Sequence, residues 1–105
     1  MIGIKVSITR FVSADQPGFV ECKFKDVWDK EFIIEEKIPV ITTAHLDKNS
    51  EYPQDGVVEC EVIKEWKDKD GRNLVRIDLE KPWAIETIDG LTQFDILKDN
   101  LVNLD

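Results

Sequence analysis

Apolar and polar residues alternate with a period of two along most of the chain. Ile2, Ile4, Val6 and Ile8 share one face of a first segment, with Gly3, Lys5, Ser7 and Thr9 on the other, the pattern of a half-buried strand. Turn-forming residues over 13–18 lead into a second run at 19–26, where Val20, Cys22 and Phe24 alternate with Glu21, Lys23 and Lys25. A third run over 31–41 keeps Phe32, Ile34, Ile38 and Val40 in phase and is broken only by Glu36. The stretch 42–56 loses the period and reads as a long loop, with room for one helical turn at 43–46. Alternation resumes over 57–66 and 72–80, and then over 83–88 and 91–97 after the bend at Lys81-Pro82. Leu101, Val102 and Leu104 leave a short strand or a turn at the end.

Two Asp-Gly dipeptides fix expected hairpin registers, because glycine adopts the positive φ of a two-residue type I′ turn without steric cost. At Asp89-Gly90 this register sets Ile85 opposite Phe94, Trp83 opposite Ile96 and Thr87 opposite Thr92. At Asp70-Gly71 it sets Val62 opposite Leu79, Trp66 opposite Val75 and Glu65 opposite Arg76 as an ion pair. A three-residue loop at the second tip is rejected here, since it turns Arg76 and Asp78 inward. No segment has a helical period long enough for a parallel crossover. The expected fold is all-β: one domain over 1–105, a small antiparallel barrel of about six to seven strands built from hairpins. Closure hides edge strands economically in so short a chain. A two-sheet sandwich is the alternative.

A repeat runs through this pattern. Gln16-Pro17-Gly18-Phe19-Val20-Glu21-Cys22 matches Gln54-Asp55-Gly56-Val57-Val58-Glu59-Cys60 at five of seven positions, and Trp28 maps onto Trp66 at the same offset of 38. Glu36-Lys37-Ile38-Pro39 resembles Glu80-Lys81-Pro82 once the second hairpin is allowed a longer tip. The reading is a duplicated hairpin, which makes Cys22 and Cys60 matched core positions. Two cysteines without a metal-ligand spacing are expected as buried free thiols.

Composition narrows the function. The 105 residues carry 22 acids and 14 bases, a net charge of −8, which argues against direct binding of a nucleic-acid backbone. Residues 1–30 hold five bases against four acids, and residues 31–105 nine against eighteen, so any electrostatic partner is sought in the later part. The longest apolar runs are three residues, far short of the roughly 20 of a spanning helix. The first residues alternate and lack the apolar block of a signal peptide. The expectation is a cytoplasmic protein with no membrane contact.

Candidate chemistry is sparse. His45 is the single imidazole, so no multi-histidine zinc site is available, and no nucleophile motif accompanies it. Asp68-Lys69-Asp70-Gly71 resembles the middle of a calcium loop, but position 12 counted from Asp68 is Leu79. A hairpin tip is the better reading, and no metal or cofactor is expected. Trp66 and Trp83 are in phase with apolar neighbours and read as barrel-end plugs, whereas Trp28 stands at a tip between Asp26 and Asp29. Aromatic anchors are frequent at binding hot spots. Trp28 and Trp66, with His45 and Tyr52 from the long loop, are therefore the candidate contact residues. The expected function is a non-catalytic, acidic binding module that docks on a protein partner, for which the charge suggests a basic one. A small-ligand or nucleotide-binding barrel is the alternative, and an enzyme comes third.

Overall fold

A computed structural model describes residues 1–104. The strands are β1 (Ile2–Ser13), β2 (Phe19–Lys25), β3 (Glu31–Lys37), β4 (Gln54–Lys67), β5 (Asn73–Asp78), β6 (Gln93–Leu97) and β7 (Leu101–Asn103), with one helical turn, α1 (Ile38–Ile41). They form one antiparallel sheet in the order β3-β2-β1-β4-β5-β6, with β7 alongside the start of β1. The fold is all-β, and this sheet curls into a half-barrel. Its two ends approach each other through the backbone. Val27 N–H donates to the Asp95 carbonyl at 3.0 Å, and Ile88 N–H to that of Ile33 at 2.9 Å.

The expected alternation builds the core. Ile4 and Ile8 of β1, Val20 and Cys22 of β2, Ile34 of β3, Val58 of β4, Val75 and Ile77 of β5 and Ile96 of β6 all point inward and are buried. Phe24, Phe32 and Phe94 close the seam between the sheet ends, with ring centroids 4.6–5.6 Å apart. The interior is thus filled by side chains.

Three expected elements are different. The third strand ends at Lys37, not at residue 41. Pro39 has no N–H to give a ladder and its φ suits a first helical turn. Ile38 and Ile41, three apart, bury the same side of α1. No helical turn forms at 43–46; the α-helical turn of the described residues is at 38–41. The segment 83–88 is not a strand, and the last strand before the tail starts at Gln93 rather than residue 91. Residues 79–92 instead form a strap pinned by Leu79 N–H to Thr92 O, Ala84 N–H to Glu80 O and Ile85 N–H to Leu79 O. The strap buries Ile85 and Thr87, so its alternation is real but serves a plug. The partner of β6 is accordingly β5: Phe94 lies opposite Ile77 and Ile96 opposite Val75.

The third difference lies in the turns, of which three share one pattern. Asp26 N–H donates to Lys30 O, and Asp29 N–H back to Asp26 O. Asp68 and Arg72, with Gly71, repeat this, and so do Thr87 and Leu91, with Gly90. In each, the first residue's side-chain oxygen also caps the N–H four residues on. The fourth residue has positive φ: Asp29 at 62°, Gly71 at 82° and Gly90 at 80°. These are three-residue loops closed by a left-handed residue. The side-chain cap selects them over the two-residue turn expected at both Asp-Gly pairs.

The odd loop at 69–71 moves the β4–β5 register by one. A bulge then moves it by one more, which restores the facing: Trp66 pairs with Leu74 and Lys64 with Arg76, but Val62 pairs with Ile77 in place of the expected Leu79, leaving Ile63 extra. Beyond the bulge every β4 side chain changes face. Trp66 therefore leaves the inner face of Val62, and Glu65 lies opposite Val75 rather than Arg76. The two repeated hairpins also differ in length. Their equivalent turns start at Asp26 and Asp68, so Trp28 and Trp66 do not occupy matching places.

Candidate functional site

Trp28 is 70% exposed, the most open large apolar side chain among the described residues. Its backbone is nevertheless fixed. Asp26 Oδ1 accepts the N–H groups of Trp28 and Lys30 at 2.9 and 3.0 Å. On the near side Val27 is buried and bonded to β6. The sequence thus builds a rigid turn whose central residue is an aromatic held out in water.

Beside Trp28 lies a surface hollow of about 310 Å³, lined among others by Asp26, Phe32, Arg76, Leu91, Phe94 and Asp95. Arg76 and Asp95 face each other across β5 and β6. They form a bidentate pair, Nε to Oδ1 at 2.7 Å and Nη2 to Oδ2 at 3.1 Å. The Asp95 hydrogen bond and charge hold the Arg76 pKa above its ordinary value. On its other side the guanidinium lies 5.8 Å from the Trp66 ring centroid, and Lys64 Nζ lies 4.8 Å from the same ring. Trp28, the hollow, Arg76 and Trp66 thus follow one another across the outer surface.

Of the four residues singled out in the sequence, the fold brings Trp28 and Trp66 to either side of Arg76. His45 is exposed in the long loop, beside Ile38 and Leu46. Tyr52 packs against the core, and its hydroxyl donates to the Asp47 carbonyl at 2.8 Å. Neither lines the Trp28 hollow. Arg76, Asp95 and Leu91 were not singled out. The signal for Arg76 and Asp95 is two outward strand positions of opposite charge, readable only once β5 and β6 are known to pair; Leu91 lies in the strap.

A larger groove of about 670 Å³ runs over the outer face of β1 and β4 beside α1, lined by Val40, Val57, Val102 and Leu104 with Lys5, Asp55 and Glu59. Its lining is mainly aliphatic. Size favours this groove, whereas the exposed aromatic on a capped turn and the organised charges favour the Trp28 hollow, which is the better candidate. The described residues contain no helix long and apolar enough to cross a membrane and no cluster of three or more metal-binding side chains. No protein-family model, curated protein or solved structure matches this chain.

Proposed function

We propose that the chain is a non-catalytic binding module that docks on a protein partner through the Trp28 face. The observation that carries this reading is the combination of 70% exposure with a capped, anchored backbone at Trp28. An aromatic whose backbone is already fixed gives up less entropy on binding and contributes a large contact area. Leu91 and Ile88, 43% and 60% exposed on the adjoining strap, extend the apolar surface. Charge supports a basic partner. Residues 78–91 carry four acids, Asp78, Glu80, Glu86 and Asp89, against the single base Lys81. The filled interior directs the reading to the surface rather than to a ligand carried inside the barrel.

The test is capture by the immobilised protein from lysate of cells that express it, followed by rebinding of the purified candidate. Trp28→Ala is expected to weaken rebinding at least tenfold, while Lys48→Ala on the long loop leaves it unchanged. Binding should also weaken as ionic strength shortens the Debye length from about 10 Å at 0.1 M salt. Retention of the same partner at full strength by Trp28→Ala would overturn the reading.

A further inference from the structure

The chain contains its own comparison for the Trp28 turn. In the second turn Asp68 Oδ1 accepts the N–H groups of Asp70 and Arg72 at 3.0 and 2.9 Å. Its other oxygen, Oδ2, accepts Arg72 Nε at 2.8 Å. In the first turn Asp26 Oδ1 accepts the two corresponding N–H groups. Among the described residues, Asp26 Oδ2 accepts no hydrogen bond. The residue in the place of Arg72 is Lys30, and its Nζ lies over the Phe32 ring, 5.2 Å from the centroid. One turn thus fills its second carboxylate oxygen with a guanidinium, and the other, on the rim of a hollow, leaves it open.

We propose that the hollow takes the guanidinium of an arginine from the partner protein, held by Asp26 against the face of Trp28. This rests on the docking reading above and names the chemical group that the partner contributes. Guanidinium suits both walls. It donates N–H groups in a planar fork to a carboxylate, and it stacks on indole more readily than a hydrated ammonium does. Leu91 and Phe94 offer apolar surface to the methylene stem. Arg76 does not repel the incoming cation, because its charge is matched at short range by Asp95. A hollow of about 310 Å³ is of a size for one such side chain.

The experiment is a ¹H–¹⁵N NMR titration of the full chain with a capped Gly-Arg-Gly peptide, and with peptides carrying citrulline or lysine in place of arginine. The arginine peptide is expected to shift the Trp28 indole N–H and the Trp28 and Lys30 amides, with a dissociation constant on the order of 1 mM. Citrulline, isosteric but neutral, should bind at least tenfold more weakly, and lysine several-fold more weakly. Asp26→Asn keeps an oxygen for both backbone N–H groups and removes the charge. It should abolish the preference for arginine over citrulline while leaving the Val27 amide, bonded to Asp95 O, protected from hydrogen exchange. Equal affinity for arginine and citrulline, lysine binding as tightly as arginine, or no shifts at all would each overturn the assignment. Should that happen while Trp28→Ala still loses the captured partner, the docking reading stands and only the arginine fails. Binding of arginine at Trp28 with capture indifferent to Trp28→Ala is the opposite case.

Discussion

Trp66 lies opposite Leu74, not opposite Val75, in the stretch between two departures from a regular hairpin. The three-residue loop at 69–71 shifts the register by one, and the extra residue Ile63 shifts the facing back. Between loop and bulge, side chains sit on the reverse face from the one that their parity implies. Trp66 is consequently outside, flanked by Lys64 and Arg76, and available to the surface on which Trp28 also stands.

The bulge should therefore matter more than the exposed side chain of Ile63 suggests. Deleting Ile63 forces either the loop or the inner face to yield, because a one-residue slip exchanges the two faces of a strand. The expected loss is about 3 kcal/mol of unfolding free energy by urea denaturation. Ile63→Thr keeps the bulge and removes only a half-exposed side chain, so it should cost less than about 1 kcal/mol. Equal losses from the two changes would show that the bulge does not set the register.

A second prediction concerns the cap of the strap. Thr87 is 2% exposed, and its hydroxyl oxygen accepts the Leu91 N–H at 3.2 Å. Thr87→Val keeps the shape and strands that N–H, for an expected cost of about 1–2 kcal/mol. Thr87→Ser retains the acceptor and should recover roughly half of this. Hydrogen exchange at the Leu91 amide is the direct readout: it should accelerate in Thr87→Val and stay slow in Thr87→Ser.

The strand bodies were legible because one buried face imposes strict alternation, so β1, β2 and β4 could be phased from Ile4, Val20 and Val58 alone. The odd loop and the bulge were not legible. Their shifts add to two residues, setting Val62 opposite Ile77 instead of Leu79, and an even shift leaves the apolar parity the same with both or with neither. The turn type did have a signal, in the Asp or Thr three residues before the positive-φ position, but the Asp-Gly pair masked it. At the strap, alternation is ambiguous by nature, since Ile85 and Thr87 can be buried by a strand or by an irregular plug. Reading that plug as a strand hid the β5–β6 pairing and with it the Arg76–Asp95 pair. Trp28 remained visible as an aromatic among turn-forming residues. The open oxygen of Asp26 could be found only in three dimensions.

The cysteines predict an alkaline limit to stability. Burial pushes the Cys22 thiol up to about 12, helped by the charges of Glu21 and Glu36, and the Cys60 thiol up to about 11. Above the ordinary value of 9.0 the unfolded chain ionises while the folded chain keeps both protons. Stability therefore falls as pH rises from 9 through the folded values. Each thiol contributes up to about 1.4 kcal/mol per pH unit in that window. The double variant Cys22→Ala/Cys60→Ala should show a shallower fall of the urea midpoint between pH 8 and about 10.5. Native protein should also resist a thiol reagent at pH 8 that labels both cysteines once it is unfolded. Rapid labelling of the native chain would contradict the buried, protonated thiols.

At the acid end the informative pair is Thr9 and Glu21, neighbours on β1 and β2. The Thr9 hydroxyl donates to Glu21 Oε1 at 2.8 Å, and Arg10 Nε donates to Oε2 at 3.1 Å. The Thr9 hydrogen bond is the main cause that holds the Glu21 carboxyl below its ordinary value of 4.5, with Arg10 adding its charge and hydrogen bond. A lowered value means that the contribution is complete above 4.5 and is lost as pH falls through the folded value. Thr9→Val removes the donor and keeps the β-branched shape suited to the strand. It should cost about 1 kcal/mol at pH 7, and the gap to the parent protein should close as pH drops below the carboxylate range, where both chains carry a protonated Glu21. The measurement is a set of urea denaturation curves between pH 7 and about 2. A gap that stayed constant across the range would mean that Thr9 stabilises the fold by packing and by its hydroxyl's bond to the Glu21 carbonyl at 3.1 Å, with no share in the ionisation of Glu21.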